Sequence, residues 1–383
     1  IDPGNARWFA REKFTADDMT VMRQGITDTL RRYAGRDYQY DAMMAFHAFD
    51  NWGSGASRKL PDAARQWNEA GEGPKIVIAT PDAFFEHILA DSSVTLPIYR
   101  GGFGGAWDRL KVATPATWQR MQAAEAAYRQ ANLTAADARV IALLTLYGHT
   151  FPLGAGWPGI LTEDQTLRHN REQGEFVAAL RVEGRPWPVR GEPAPLPAAG
   201  TGMPAANTLY RAKGVSIWQA VGDNLEPVEP GAWTALPPRR TADDTWQLRH
   251  RIDRKALGTE RTSIVWAWPI QTPAEQLRPR VRTATGWMQI PDELLDQQFH
   301  NGWLSPRATQ FDGVEVAADV PLAFCVSPKA YPNWVFAQCL GQGFKATFNG
   351  GAQRTLTFEE TYPYEPPIAE FTIEVRPLNP DGD

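Results

Sequence analysis

The sequence predicts a multidomain chain that runs from an α/β segment through a three-helix bundle to an antiparallel β-sandwich. Helix and strand patterns alternate in residues 1–106, which is typical of a parallel sheet covered by helices. Helical patterns follow one another in residues 107–183, and short strand patterns with frequent turn signals fill residues 207–383. Residues 184–206 are dense in Pro and Gly and predict a linker. A chain of 383 residues is long enough for two or three separate cores.

The first segment should contain three helices and two strands. Apolar residues at helical spacing predict helices over 15–35, 61–70 and 81–90. Two apolar runs, at 40–49 and 75–80, have the length of buried strands. The third helix is expected to bury four apolar side chains on one side, namely Phe84, Phe85, Ile88 and Leu89.

Longer helices and then short strands make up the rest of the chain. Helices are predicted over 114–132, 134–150 and 162–182. Thr134, with Asp137 three residues later, predicts the capped start of the second of these helices. The expected strands are 214–221, 245–252, 263–270, 313–318, 321–326, 334–340, 344–349, 355–362 and 369–378.

Composition excludes several classes of protein. Lys and Arg number 39 against 44 Asp and Glu, and the resulting net charge of −5 rules out a generic nucleic-acid binder, which needs a basic surface. No stretch reaches the ~20 consecutive apolar residues of a membrane span. We therefore expect neither a nucleic-acid nor a membrane partner.

The N-terminus and the cysteines bear on location. The chain starts at Ile1 without Met or a signal peptide, which we interpret as the result of processing. We expect a secreted or periplasmic protein, with a cytoplasmic one as the alternative. The two cysteines, Cys325 and Cys339, could form one bridge in an exported protein or remain two buried thiols.

Asp50 is the first candidate for a catalytic group, because it ends the predicted strand 40–49. Reactive groups gather at the carboxyl ends of strands in α/β proteins, and an Asp among apolar residues can have its pKa raised enough to donate a proton. The alternative is a turn formed by Asp50 and Asn51. Trp52 follows within reach, and loop tryptophans suit the flat apolar faces of sugars. We expect Asn51 and Trp52 to bind substrate beside Asp50.

His149 is the second candidate. It follows a strongly apolar helix and precedes a loop rich in Gly and Trp, where a neutral imidazole could bind a metal or act as a base. The alternative is a partly buried histidine with a structural hydrogen bond. Trp157 in the same loop, and Asn68 in the second predicted helix, are expected to line the substrate cleft. The sequence contains no HExxH zinc motif, phosphate loop, dinucleotide fingerprint or nucleophile elbow.

Four stretches together resemble a known enzyme family. They are "YDAMMAFHAFDNWG" (40–53), "RQWNEAGEGPKIVIATPDAFFEHI" (65–88), "LYGHTFPLGAGW" (146–157) and "LSPRATQFDGVEVAADVPLAFCV" (304–326). In this order they are similar to the later half of the catalytic region and the β domain of family 38 glycoside hydrolases, the class II α-mannosidase group. They look most like divergent bacterial relatives in that family.

The resemblance implies that residues 1–106 form part of a (β/α) barrel. It also implies a zinc-dependent glycoside hydrolase that acts on α-linked sugars or a polysaccharide. By position, Asp50 corresponds to the family's acid/base and His149 to its last zinc ligand, while Phe49 stands where the family has another acidic residue. The family's nucleophile and other zinc ligands precede the matched stretches, so most ligands would lie outside this chain. An N-terminal fragment or a companion chain would then supply them.

Two other functions stay open at this point. A polysaccharide lyase would use His149 or Tyr147 as the base, with Arg100 or Arg168 neutralising the uronate. A non-catalytic carbohydrate-binding subunit would use the tryptophans alone. For the hydrolase, we expect His149 and Asp50 to face one cleft.

Overall fold

A computed structural model describes the following residues: 16–34, 38, 40–44, 59–71, 73–96, 111–148, 159, 161–184, 186–196, 207–213, 225–260, 262–283, 286–290, 302–305, 307–327 and 331–378. The chain divides into two compact units, Ile1–Ile98 and Tyr99–Asp383. Helices and antiparallel sheets both occur, as expected of a multidomain protein of mixed class.

The described part of the first unit consists of helices α1 (Ala16–Ala34), α2 (Lys59–Ala70) and α3 (Pro81–Ala90). All three match the prediction to within two residues at each end. The Thr80 side chain caps α3 by accepting a hydrogen bond from the amide of Ala83, and a proline in the first turn is preorganised for a helix.

Trp67 is central to the packing of α1 against α2. Its ring is buried against Met22, and its Nε1 donates a hydrogen bond to the carbonyl oxygen of Pro74 at 2.9 Å. A buried ion pair between Lys59 and Asp18, 3.2 Å apart, joins the same two helices.

The buried strand predicted over 75–80 is wrong. These residues form no strand, and the side chains of Val77 and Ile78 are 67% and 56% exposed. The side chain of Asn68 on α2 holds the backbone of Ile76 instead: Nδ2 donates to the carbonyl oxygen (2.8 Å) and Oδ1 accepts from the amide (2.9 Å). In the described part of this unit no strand lies beside the segment, so an apolar run does not become a buried one.

Fewer apolar side chains of α3 are buried than predicted, again because no strand in the described part of this unit covers them. Ile88 is buried, whereas Phe85 and Leu89 are 46% and 56% exposed. The other predicted strand of this unit is not formed over residues 40–44, and its remaining residues lie outside the described part.

Helices α4 (Pro115–Gln130), α5 (Ala138–Leu146) and α6 (Glu163–Ala179) pack around one apolar core in the second unit. The predicted cap at Thr134 is wrong, because the chain still turns after it. Asp137 caps α5 instead, and its carboxylate accepts a hydrogen bond from the amide of Arg139 at 2.9 Å. Helix α6 begins as predicted, with a capping box between Thr162 and Gln165.

Short strands follow the helices. In chain order the described strands are β1 (Glu192–Pro193), β2 (Thr208–Lys213), β3 (Leu225–Pro227), β4 (Trp233–Ala235), β5 (Arg239–Arg240), β6 (Trp246–Asp253), β7 (Thr262–Pro269), β8 (Arg280–Thr283), β9 (Gly286–Gln289), β10 (Gly302–Ser305), β11 (Ala308–Phe311), β12 (Val314–Ala318), β13 (Leu322–Ser327), β14 (Tyr331–Gln342), β15 (Lys345–Thr347), β16 (Gln353–Thr355) and β17 (Ile368–Pro377).

Most of these strands belong to two antiparallel sheets. One has the order β1-β5-β6-β17-β12-β11-β8-β9, with β4 also beside β6, and the other has the order β10-β13-β14-β7-β2-β3. The two sheets share one apolar core, in which Ile252 of β6 and Phe371 of β17 pack together with Trp266 of β7 and Phe324 of β13.

Seven of the nine predicted strands are confirmed, with shifted ends. The predicted strand 214–221 lies outside the described residues, and the one over 355–362 is wrong. Its centre is a short helix, α7 (Phe358–Thr361). The Thr357 hydroxyl accepts from the Glu360 amide (3.1 Å) and the Glu360 carboxylate accepts from the Thr357 amide (2.8 Å), a capping box that favours helix over strand.

Polar side chains tie α4, α6 and the predicted linker to the sheets and to α7. Gln119 of α4 donates to the carbonyl oxygen of Glu370 (3.0 Å), and Asn170 of α6 donates to that of Glu360 (2.8 Å). In the segment between helices and sheets, the Trp187 amide donates to the Asp319 carboxylate at 3.0 Å. The segment is therefore held against the sheet at this point.

Both cysteines, Cys325 and Cys339, are buried free thiols, so the alternative of a bridge between them is not observed. Among the helices of the described ranges, none has the length and apolar character needed to cross a membrane.

Candidate functional site

Five of the six predicted site residues lie outside the described residues: Asp50, Asn51, Trp52, His149 and Trp157. Their roles, and the shared cleft expected for His149 and Asp50, stay predictions. The sixth, Asn68, is exposed on α2, and both ends of its amide bind the backbone of Ile76. A role for Asn68 in binding substrate also stays a prediction.

A pocket of about 380 Å³ lies at the C-terminal end of α5, two residues before His149. We call it the Glu125 pocket, because the carboxylate of that residue on α4 is the centre of its polar contacts. Its walls come from α4, from the end of α5 and from the turn between β10 and β11, and they comprise Trp118, Gln122, Glu125, Arg129, Leu143, Leu144, Tyr147 and Arg307.

Lys111 fixes the backbone of Tyr147, a lining residue of the Glu125 pocket, at the end of α5. Its side chain is buried, and Nζ donates to the carbonyl oxygens of Tyr147 (3.1 Å) and Gly148 (2.9 Å). These are carbonyls at the end of α5, where a cation also stabilises the helix dipole. Lys111 thus holds the chain in one position up to the residue before His149.

Three side chains converge on the carboxylate of Glu125. The Tyr147 hydroxyl donates to Oε2 at 2.8 Å, Arg129 Nη2 donates to Oε1 at 2.7 Å, and Arg307 Nη2 reaches the same oxygen at 3.4 Å. Partial burial raises the pKa of Glu125, but the hydrogen bonds from Tyr147 and Arg129 outweigh it and leave that pKa below its usual value. Glu125 is therefore a carboxylate at neutral pH.

Tyr147 is a neutral phenol in this arrangement. Burial, and then its hydrogen bond to Glu125, raise the pKa of Tyr147 well above its usual value. Its ring meets Trp118 edge-on with the centroids 6.1 Å apart, so it is fixed on two sides. A phenol with a raised pKa is a poor base, which argues against the use of Tyr147 in the lyase alternative. In that alternative Arg168 is an exposed residue of α6 paired with Glu172, and Arg100 lies outside the described residues.

The Glu125 pocket is thus suited to binding rather than to proton transfer, because its acid is held ionised and its phenol is held neutral. The site residues predicted from the sequence do not include Glu125, Arg129, Lys111 or Arg307. The spacing of Glu125 and Arg129, four residues apart on a predicted helix, is a signal for an ion pair but not for a pocket. Arg307 comes from a distant part of the chain and carries no local signal.

A second, wider cleft of about 940 Å³ lies between α4, α6 and the segment before β17. Two of its arginines are paired with neighbouring acids: Arg120 lies 3.6 Å from Glu183, and Arg251 lies 3.7 Å from Glu370. The polar contacts of its buried acid, Glu365, are with the amides of Ala116 and Thr117 and with Arg254.

No group of three or more His, Cys, Asp or Glu side chains is placed to hold a metal ion within the described ranges. No protein-family model and no curated protein matches the sequence.

Proposed function

We propose that the chain is part of a carbohydrate-active enzyme, a glycoside hydrolase that resembles family 38 and acts on α-linked sugars or a polysaccharide. In this proposal residues 1–106 correspond to part of a (β/α) barrel, α4 to α6 to a three-helix bundle, and the two larger sheets to a β-sandwich. A secreted or periplasmic location fits a polysaccharide substrate.

The observation that carries the proposal is the Glu125 pocket, whose lining residue Tyr147 lies two positions before His149 in the sequence. Carbohydrate sites combine apolar surface, for the C–H face of a ring, with a few fixed polar groups for the hydroxyls. The pocket offers Trp118 and two leucines for the first purpose, and the Tyr147 hydroxyl and Gln122 amide for the second. Its position at the end of α5 is the one at which the resemblance expects a substrate site.

Asp50 would protonate the glycosidic oxygen as the bond to the leaving sugar breaks, since a carboxylic acid next to the scissile bond is what this reaction needs. Asn51, Trp52, Asn68 and Trp157 would bind the sugar around it. The lyase is not favoured, because Tyr147, one of its two candidate bases, is held as a neutral phenol. A non-catalytic subunit would use the Glu125 pocket as well, and hydrolysis separates it from the hydrolase.

Zinc is part of the proposal through His149, for which the resemblance suggests the role of one ligand. A single histidine does not make a zinc site, and the described residues bring no further ligands together. The remaining ligands would come from outside this chain.

The test is hydrolysis of p-nitrophenyl α-D-mannopyranoside by the full product of the gene, with zinc supplied. Asp50→Asn should lower kcat by at least ~10²-fold, the usual range for loss of a general acid. Asp41→Asn is the matched control, because Asp41 is an exposed acid of the same unit whose contact is with His87. His149→Ala should lower the zinc content. Absence of hydrolysis in the zinc-loaded protein, or unchanged kcat in Asp50→Asn, would refute the proposal.

A further inference from the structure

Both carboxylate oxygens of Glu125 already accept hydrogen bonds from the protein. Oε1 accepts from Arg129 and Arg307, and Oε2 accepts from the Tyr147 hydroxyl. Glu125 therefore holds the guanidinium groups of Arg129 and Arg307, which come from separate parts of the chain, close to the same carboxylate oxygen.

The two guanidinium groups retain N–H donors that have no partner among the described residues. Arg307 uses one Nη2 at 3.4 Å, and Arg129 uses Nε and Nη2, which both bind the same carboxylate oxygen. Both side chains are accessible, at 51% and 76% exposed. Two cations against the one carboxylate of Glu125 leave this wall with a net charge of +1. It is a wall of donors, and an anionic ligand with several acceptor oxygens complements it.

The lining also contains apolar side chains. Leu144 is 59% exposed, and the side chains of Leu143 and Trp118 are buried. A ligand in this pocket therefore meets both donors and hydrocarbon. The volume of about 380 Å³ lies at the lower end of the ~300–1,000 Å³ of small-molecule sites, so the pocket is suited to a single ring.

We infer that the Glu125 pocket binds a carboxylate-bearing sugar, a uronic acid residue of a saccharide. Its carboxylate bridges Arg129 and Arg307, and the C–H face of its ring lies on Leu144. The carboxylate follows from the charges and the free donors, whereas the sugar rests on the proposed function.

The experiment measures binding of D-glucuronate to the purified chain by saturation-transfer NMR, with D-glucose and acetate as the comparison ligands. Glucose keeps the ring without the charge, and acetate keeps the charge without the ring. We expect glucuronate to bind at least tenfold more tightly than either. Equal binding of acetate would mean that the pocket recognises any carboxylate, equal binding of glucose would mean that the arginines do not contribute, and no binding of glucuronate would mean that there is no such site. Each of these results overturns the inference.

Arg307→Gln should weaken glucuronate binding at least tenfold, since it removes one of the two cations while leaving the turn between β10 and β11 intact. The matched control is Arg376→Gln on β17, an exposed arginine outside the pocket that pairs with a distant acid, Glu315, as Arg307 pairs with Glu125. Its affinity for glucuronate should equal that of the unaltered protein. Both variants should keep the melting temperature, because both side chains are exposed. Unchanged affinity in Arg307→Gln contradicts the inference.

The two proposals fail separately. Hydrolysis without glucuronate binding would refute the uronic acid inference and leave the hydrolase standing. Glucuronate binding without hydrolysis would refute the hydrolase and leave the binding site standing.

Discussion

The guanidinium group of Arg254 and the carboxylate of Glu365 form an ion pair at 3.6 Å in which both side chains are fully buried. The carboxylate also accepts hydrogen bonds from the amides of Ala116 (3.2 Å) and Thr117 (2.7 Å) in the first turn of α4. The N-cap residue of that helix, Thr114, makes no side-chain cap. Glu365 therefore supplies the cap from the β region, more than two hundred residues later in the chain, and joins the helices to the sheets.

Glu365→Gln should destabilise the protein by about 3–5 kcal/mol, because it leaves the charge of Arg254 buried and unpaired. Burial raises the pKa of Glu365, although the Arg254 charge acts in the opposite direction. The attraction within the pair therefore offsets only part of the cost of burying the carboxylate. Both terminal nitrogens of Arg254 lack a hydrogen-bond partner in the described part of the chain, which makes the loss of the carboxylate harder to compensate. Urea unfolding measures the change.

Glu370→Gln is the matched control for this substitution. Glu370 pairs with Arg251 at 3.7 Å, but the two side chains are 44% and 56% exposed, so the loss should be below about 1 kcal/mol. The double variant Arg254→Met with Glu365→Gln should recover part of the stability, because no unpaired charge remains. Equal effects of the Glu365 and Glu370 substitutions would contradict the buried ion pair.

His250 should make the protein sensitive to acid. Its ring is buried on β6 between Trp233 and Phe371, and Nδ1 accepts a hydrogen bond from Trp233 Nε1 at 3.1 Å. Burial lowers the pKa of His250 from 6.5 to about 3. Below pH 6.5 the imidazole binds a proton in the unfolded chain, whereas in the folded protein it does so only near pH 3. The free energy of unfolding therefore decreases as the pH falls from 6.5 to about 3.

His250→Asn should flatten this dependence, because it removes the proton-binding group and keeps an oxygen near the position of Nδ1. Between pH 7 and pH 5 the unaltered protein should lose about 2 kcal/mol more than the variant. The variant will be less stable overall through lost packing, so the readout is the slope of the unfolding free energy against pH. Parallel slopes would show that His250 is protonated in the folded protein.

How far the sequence predicts the fold depends on whether the signals are local. Helix α6 was predicted correctly because Thr162 and Gln165 lie within one turn of each other and form its cap. The segment 75–80 was predicted wrongly because an apolar run indicates burial only where another element covers it. For Val77 and Ile78 the described part of the first unit provides no such element.

The candidate site shows the same limit. Tyr147 lies two residues before His149, so the sequence does lead to the end of α5. The residues that hold Tyr147 and complete the Glu125 pocket come from elsewhere: Lys111 lies 36 residues before Tyr147 in the chain, and Arg307 lies 182 residues after Glu125. Contacts over such separations are set by tertiary packing, for which a single sequence offers no periodic signal.

The exposed segment 75–80 should tolerate polar substitutions that a buried strand would not. Val77→Thr and Ile78→Thr should each change the free energy of unfolding by less than about 0.5 kcal/mol, since surface positions contribute little. Trp67→Ala is the comparison within the same unit. It should cost about 3–5 kcal/mol, because the ring is buried between α1 and α2. Circular dichroism during urea unfolding measures both. A loss of stability above about 2 kcal/mol in Val77→Thr would contradict the exposed segment and support a buried strand over residues 75–80.

Asp319 should act on stability in the opposite direction to His250. Its carboxyl group is buried and accepts hydrogen bonds from the amides of Thr372 (2.8 Å) and Trp187 (3.0 Å). Burial raises the pKa of Asp319 to about 7, against the effect of those two donors. Above pH 3.8 the unfolded chain releases a proton that the folded protein keeps until about pH 7, so the contribution of this group to stability falls as the pH rises between these values.

Between pH 4 and pH 6 the fall should be about 2 kcal/mol, and Asp319→Asn should abolish it, because an amide does not titrate. The variant loses some stability at every pH, since its NH₂ group faces one of the two amide donors, and the measurement is again the slope. Because His250 contributes an opposing slope over part of this range, the comparison is best made between His250→Asn and the double variant that also carries Asp319→Asn. If these two slopes coincide, the carboxyl group is ionised in the folded protein and the contact with Trp187 is an ordinary charged one.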